Sequence, residues 1–168
     1  MADRYQTLIG GKGQLVEATV SSTGVAEAGD VVALDASGKL DPSLLPTGAG
    51  PDVASIVVEE AAGLAAGDYV NIFDSTGPKV RLADNSNGRE AHGFVLSAFA
   101  DAATALVYFE GPNTALTGLT VGARQFLGTA GGTTETPVAV TSGDLHQLLG
   151  TAISTTAINT DIDDCIQT

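Results

Sequence analysis

The sequence predicts an all-β protein: two related small β-barrel or sandwich-like units with an extended N-terminal arm. Three observations lead there. Charged residues make up only 16% of the chain and Gly accounts for 21 of 168 positions, which is poor material for long surface helices. Short apolar runs alternate with period two between clusters of Gly, Pro, Asn and Asp, the pattern of strands and turns. The later two-thirds of the chain also repeats itself. Gly63, Gly67, Gly77 and Gly88 recur as Gly118, Gly122, Gly132 and Gly143 at an offset of 55, and Gly93 recurs as Gly150 at an offset of 57. A recurring glycine marks a recurring backbone geometry such as a turn, a bulge or a close strand crossing. The polar residues around these glycines do not recur: Leu149 stands where His92 would, and Ala123 where Asp68 would. The duplication is therefore one of scaffold, not of chemistry.

Residues 1–13 read as a flexible arm, loosened by Gly10, Gly11 and Gly13, with Arg4 and Lys12 making it the least acidic stretch. Residues 14–50 read as a β-hairpin region and a linker. Gln14–Ser22 alternates like a strand. "AGDVVALDASGKLDPSLLP" (Ala28–Pro46) reads as strand, turn and strand, a partial copy of "AGDYVNIFDSTGPKVRLAD" (Ala66–Asp84). Pro42 and Pro46 oppose a central strand, and Pro46–Asp52 is the expected linker.

The first β unit, 51–112, is expected to place strands at Ala54–Val58, Tyr69–Phe73 and Lys79–Ala83. "GFVLSAFA" and "ATALVYFEG" supply two more around a turn at Asp101–Ala103. Residues 113–168 form the second, related unit. Phe73, Phe94 and Phe126 are expected in the core.

The composition excludes several function classes. The net charge is −13, and seven Lys and Arg are thinly spread, so no cluster neutralises several phosphates and direct nucleic-acid binding is not expected. Anionic membranes would repel the same surface. No apolar run approaches a membrane span, and "MADRYQTLIGGKG" lacks the apolar core of a secretory leader, so synthesis in the cytoplasm is expected. Cys165 is the one Cys, which rules out a disulfide framework.

No catalytic, cofactor-binding or metal-binding residue emerges. His92 and His146 lack partners at metal-binding spacing. Asp161–Asp164 ("DIDD") lacks the Gly and later Glu of a calcium loop and reads as a solvated face rather than a cation site. Glu59 and Glu60, adjacent on a strand, face opposite ways. "GGKGQ" lacks phosphate-loop spacing. The arm residues Arg4, Tyr5, Leu8, Ile9 and Lys12 remain as a candidate contact surface, because apolar groups on a loose segment anchor it when it orders on a partner; the alternative is that they fold the arm back on its own domain.

"GKLDPSLLP", followed by "AGDYVNIF", "VRLADNSNGREAHGFV" and "VYFEG", resembles structural proteins of tailed bacteriophages, the capsid decoration (cement) and head-fibre-like proteins. "GLTVGARQFLG…GGTTETP…GDLHQLLGTAIST" is similar to a module of phage tail fibres and other virion appendages. The resemblance spans Ala28 to Ile158. It implies a non-enzymatic viral protein on the outer capsid surface of the virion, cementing neighbouring major capsid subunits as a homotrimer, with the arm as capsid contact. The alternative it leaves open is a tail-fibre or baseplate module that recognises a host surface. It carries over no functional residue, since the shared motifs are strands and turns.

Overall fold

The computed structural model describes residues 4–23, 30–45, 50–137 and 144–167. Among them are fourteen strands and a single three-residue 3-10 turn, with no α-helix. The chain divides into two compact units, 1–50 and 51–168. The division falls within the expected linker, of which residues 46–49 lie outside the described ones.

In the N-terminal unit the loose arm expected over 1–13 is corrected. β1 (Arg4–Ile9) pairs antiparallel with β2 (Lys12–Glu17), from Arg4 opposite Glu17 to Ile9 opposite Lys12. Gly10 and Gly11 form the two-residue loop, both at positive φ, 60° and 78°. Such a loop matches the twist of a hairpin, and glycine adopts it without steric cost. The glycines thus close the arm into a hairpin instead of loosening it.

The hairpin expected over Ala28–Pro46 is corrected too. Its described part holds a turn but no paired strands. Asp35 accepts hydrogen bonds from Ser37 N, Ser37 Oγ and Lys39 N at 2.7–2.9 Å, and Gly38 sits at φ 76°. Val32 makes a single parallel bridge to Thr19, and Pro42–Leu44 forms the 3-10 turn, where Asp41 accepts Ser43 N. Prolines remove the donors a second strand would need.

The larger unit contains the duplication. β3 (Val53–Val58), β4 (Tyr69–Asp74), β5 (Pro78–Leu82), β6 (Gly93–Phe94) and β7 (Thr104–Tyr108) close into a barrel in the order β3-β5-β4-β6-β7. β8 (Gly111–Asn113), β9 (Arg124–Leu127), β10 (Thr133–Thr134), β12 (Leu148–Ser154) and β13 (Ala157–Thr160) form a sheet in the order β10-β9-β12-β13-β8. β11 (Leu145–His146) pairs with β14 (Ile166–Gln167). Reading the barrel as β5-β4-β6-β7-β3 gives each strand its counterpart at the same place in the second sheet. The registers agree: Val70 opposes Gly93 as Gln125 opposes Gly150, and Tyr69 opposes Phe94 as Arg124 opposes Thr151.

The halves differ in closure. The barrel is sealed by a parallel pair, Val57 with Lys79 and Val58 with Val80. The corresponding strands β8 and β10 are not neighbours in the second sheet. There β10 has two residues and β8 three, and Glu135 just beyond β10 turns its carboxylate to Thr120 N (2.7 Å) and Gln125 Nε2 (3.3 Å).

Two cores follow from period-two alternation. Ile56, Val58, Val70, Val80, Ala105 and Val107 fill the barrel. On the outer face of β4 and β6, Tyr69 and Phe94 join Ala83 and Ala91 and pack on Leu119, Leu127, Leu149 and Ile158 of the second half. The halves therefore share a core. Of the three phenylalanines expected inside, only Phe94 is fully buried. Phe73 lies half-buried under the Arg81 guanidinium, 4.1 Å away, and Phe126 is half-buried against His146. Both sit on the solvent side of the alternation.

Candidate interaction surface

The recurring glycines are structural, and they act in two ways. Gly63 and Gly118 (φ 73° and 74°) and Gly67 and Gly122 (φ 95° and 83°) take a left-handed backbone in matching loops. Gly67 N donates to Val95 O as Gly122 N donates to Ala152 O, both at 2.8 Å. Gly93 and Gly150 are set by close approach. A Cβ on Gly93 would stand 2.5 Å from Tyr108 O, and one on Gly150 would collide with Asn159 O. Gly88 has φ 75°, while its counterpart Gly143 lies outside the described residues. The match of Gly77 (φ 102°) to Gly132 is corrected by one position, because Gly131 (φ 77°) carries the left-handed backbone. The β9–β10 loop is longer than the β4–β5 loop, and it docks on the barrel through Gly131 N to Ala83 O and Tyr69 N to Gly131 O.

Buried amides lock the halves further. Gln147 Oε1 accepts Ala91 N at 2.7 Å, and its Nε2 donates to Ala91 O and Asp163 O. Asn113 Nδ2 donates to Gly67 O and Asn85 Nδ2 to Leu127 O. Tyr69 Oη meets Thr160 Oγ1 at 2.8 Å. Burial raises the Tyr69 phenol above its ordinary pKa. None of these amides and hydroxyls is spare for chemistry.

Of the other polar residues singled out in the sequence, some are engaged in the same way and some face solvent. His92 Nδ1 accepts Ile72 N at 2.9 Å, which leaves Nε2 to donate to Glu90 Oε1 at 3.0 Å. Cys165 Sγ donates to Glu90 Oε2 at 2.9 Å. The thiol is pushed up to about 11, first by that hydrogen bond and then by burial. This is the reverse of what a nucleophilic cysteine needs. His146 stacks on Phe126 at 5.1 Å. Glu59 is exposed, while Glu60 Oε2 accepts Leu82 N at 3.4 Å, so the pair does not converge. Asp161, Asp163 and Asp164 are exposed, and among the described residues no three His, Cys, Asp or Glu side chains are placed to hold a metal ion.

The feature left without an internal role is the surface of the N-terminal unit. Among the residues of this unit whose side chains are described, none is buried. Seven large apolar side chains stand exposed there: Leu15 (69%), Val20, Val31, Val32, Leu34 (53%), Leu40 and Leu45. On β1 and β2, Arg4 and Lys12 are exposed and Tyr5 is half-buried. Leu8 and Ile9 lie on β1, with their side chains outside the described ones. The hairpin is a two-stranded sheet, a form that is marginal in water unless it packs on something further. The sequence reading singled out the arm but missed Val31, Val32 and Leu34. Their apolar pattern reads as a strand of the Ala28–Pro46 hairpin, and in the structure all three are exposed.

Comparison with protein-family models, with curated proteins and with solved structures finds no match to this chain.

Proposed function

We propose that this chain is a non-enzymatic structural protein of a tailed-bacteriophage virion. It binds the outer capsid surface and cements neighbouring major capsid subunits, as a homotrimer. The observation that carries this reading is the N-terminal unit, whose described side chains include seven large exposed apolar ones and none that is buried. Covering a half-exposed Val or Leu contributes about 1 kcal/mol, which is weak for one residue and sufficient when many copies engage a repeating surface together. The sequence resemblance supplies the kind of surface, and the body's shared core supplies the rigidity a cement needs.

The test is binding of the full chain to purified capsids that lack it. The triple variant V31T/V32T/L34S, altered only at exposed positions, is expected to keep its fold and lose most capsid binding. Immunogold labelling of virions is expected to decorate heads. Label confined to tails would replace this reading with the host-recognition one, and unchanged binding by the triple variant would remove the N-terminal unit from the contact.

A further inference from the structure

Two adjoining cavities mark the larger unit, of about 700 and about 500 Å³, and both are lined by Glu110 and Asp161. The larger is floored by Phe94, Leu96, Tyr108 and Pro112, with Phe94 and Tyr108 stacked at 5.6 Å. Its walls carry Asp52, Glu110 and Asp161, and the smaller cavity continues the line with Asp163 and Asp164. No Lys or Arg lines either cavity, and none of these five carboxylates is ion-paired among the described residues. These carboxylates thus line a trough with an apolar floor at one end and no Lys or Arg to balance them.

We propose that this trough binds a basic polypeptide segment, an extended stretch of a partner protein that alternates Arg or Lys with apolar side chains. The inference rests on the reading above, in which the chain coats another protein, and it names the chemistry of what is coated. Three features of the trough select that occupant. The accessible part of the floor, Leu96, Tyr108 and Pro112, accepts the aliphatic stems of Lys and Arg and places their charged heads near Tyr108, where a ring face attracts a cation. The carboxylates lie at the rim, where they pair with those heads and repel acidic segments. β8 is the edge strand of its sheet, but Pro112 lacks the N–H that a docked strand would need there. Recognition therefore runs through side chains rather than strand addition.

The probe is a synthetic hexapeptide alternating Arg and Leu, titrated into the isotope-labelled full chain and followed by amide NMR shifts. Shifts are expected at Phe94, Leu96, Tyr108, Glu110 and Asp161. Glu110→Gln and Asp161→Asn are each expected to weaken binding about fivefold, whereas Glu59→Gln, which removes one exposed charge elsewhere, leaves it unchanged. The Glu/Leu hexapeptide is expected not to bind. No binding by the Arg/Leu peptide overturns the proposal. So do shifts scattered over the acidic surface, and so does equal weakening by Glu59→Gln. A peptide that binds while the chain fails to coat capsids leaves the trough standing and removes the capsid reading. A chain that coats capsids undiminished by Glu110→Gln/Asp161→Asn does the opposite.

Discussion

Replacing Gly93 or Gly150 by Ala tests whether the recurring glycines mark close approach. The Cβ of Gly93→Ala would stand 2.5 Å from Tyr108 O and 2.8 Å from Val107 Cγ1. Relief requires β7 to retreat by about 0.9 Å, from 2.5 Å to the 3.4 Å at which ordinary contact begins. β7 is held on both sides, by β3 and β6, in a closed ring, so retreat strains two ladders together. Overpacking of this kind costs about 2–3 kcal/mol. Gly150→Ala adds a backbone penalty, because Gly150 sits at φ 144° and its Cβ collides with Asn159 O. A side chain in that region costs about 1–3 kcal/mol more, giving about 4 kcal/mol in all. Gly118→Ala is the control: its φ is 74° but a Cβ there meets nothing within 4 Å, so only the left-handed penalty of about 1 kcal/mol applies. Urea unfolding of the full chain, followed by circular dichroism and tyrosine fluorescence, should rank the losses Gly150→Ala, Gly93→Ala, Gly118→Ala. If Gly93→Ala proves no more costly than Gly118→Ala, the close-approach argument fails and the recurrence means only turns.

Three further outcomes follow from the same packing. Gln147→Leu strands the buried N–H and C=O of Ala91 and is expected to cost about 3 kcal/mol in the same urea assay, with Gln147→Glu intermediate. The Tyr69 phenol is raised by burial, so the unfolded chain ionises first. Stability is full below pH 10, falls as pH rises through the folded-state value, and Tyr69→Phe abolishes that contribution when midpoints are compared between pH 8 and 11. Cys165, held at about 11 by Glu90, should react with a disulfide reagent at pH 8 at least about tenfold slower than the same thiol in Glu90→Gln; equal rates would mean the hydrogen bond does not govern the thiol.

Much of the candidate surface was legible and misread. "RYQTLI-GG-KGQLVE" carries the hairpin signal in full, two alternating runs around a Gly-Gly pair, yet glycine's freedom also supports a floppy arm, and pairing alone decides between them. Leu8 and Ile9 stand out in the sequence because they are apolar, whereas Leu34 becomes notable only when no strand forms to cover it. The trough was not legible. Asp52, Glu110 and Asp161 stand far apart in the chain, and only the second sheet's docking on the barrel brings Thr160 and Asp161 beside Tyr108 and Glu110.

The sequence by itself determined the all-β class, the places where the chain turns, and the duplication, because period-two alternation and glycine's left-handed freedom are local properties written residue by residue. Tertiary structure decided that the first half seals through the parallel β3–β5 pair while the second stays open, that Tyr69 and Phe94 face a shared core and not solvent, and that Gln147 spends its amide joining the halves. These outcomes rest on registers between distant strands. A shift of one residue there reverses every side chain, and no local pattern fixes it.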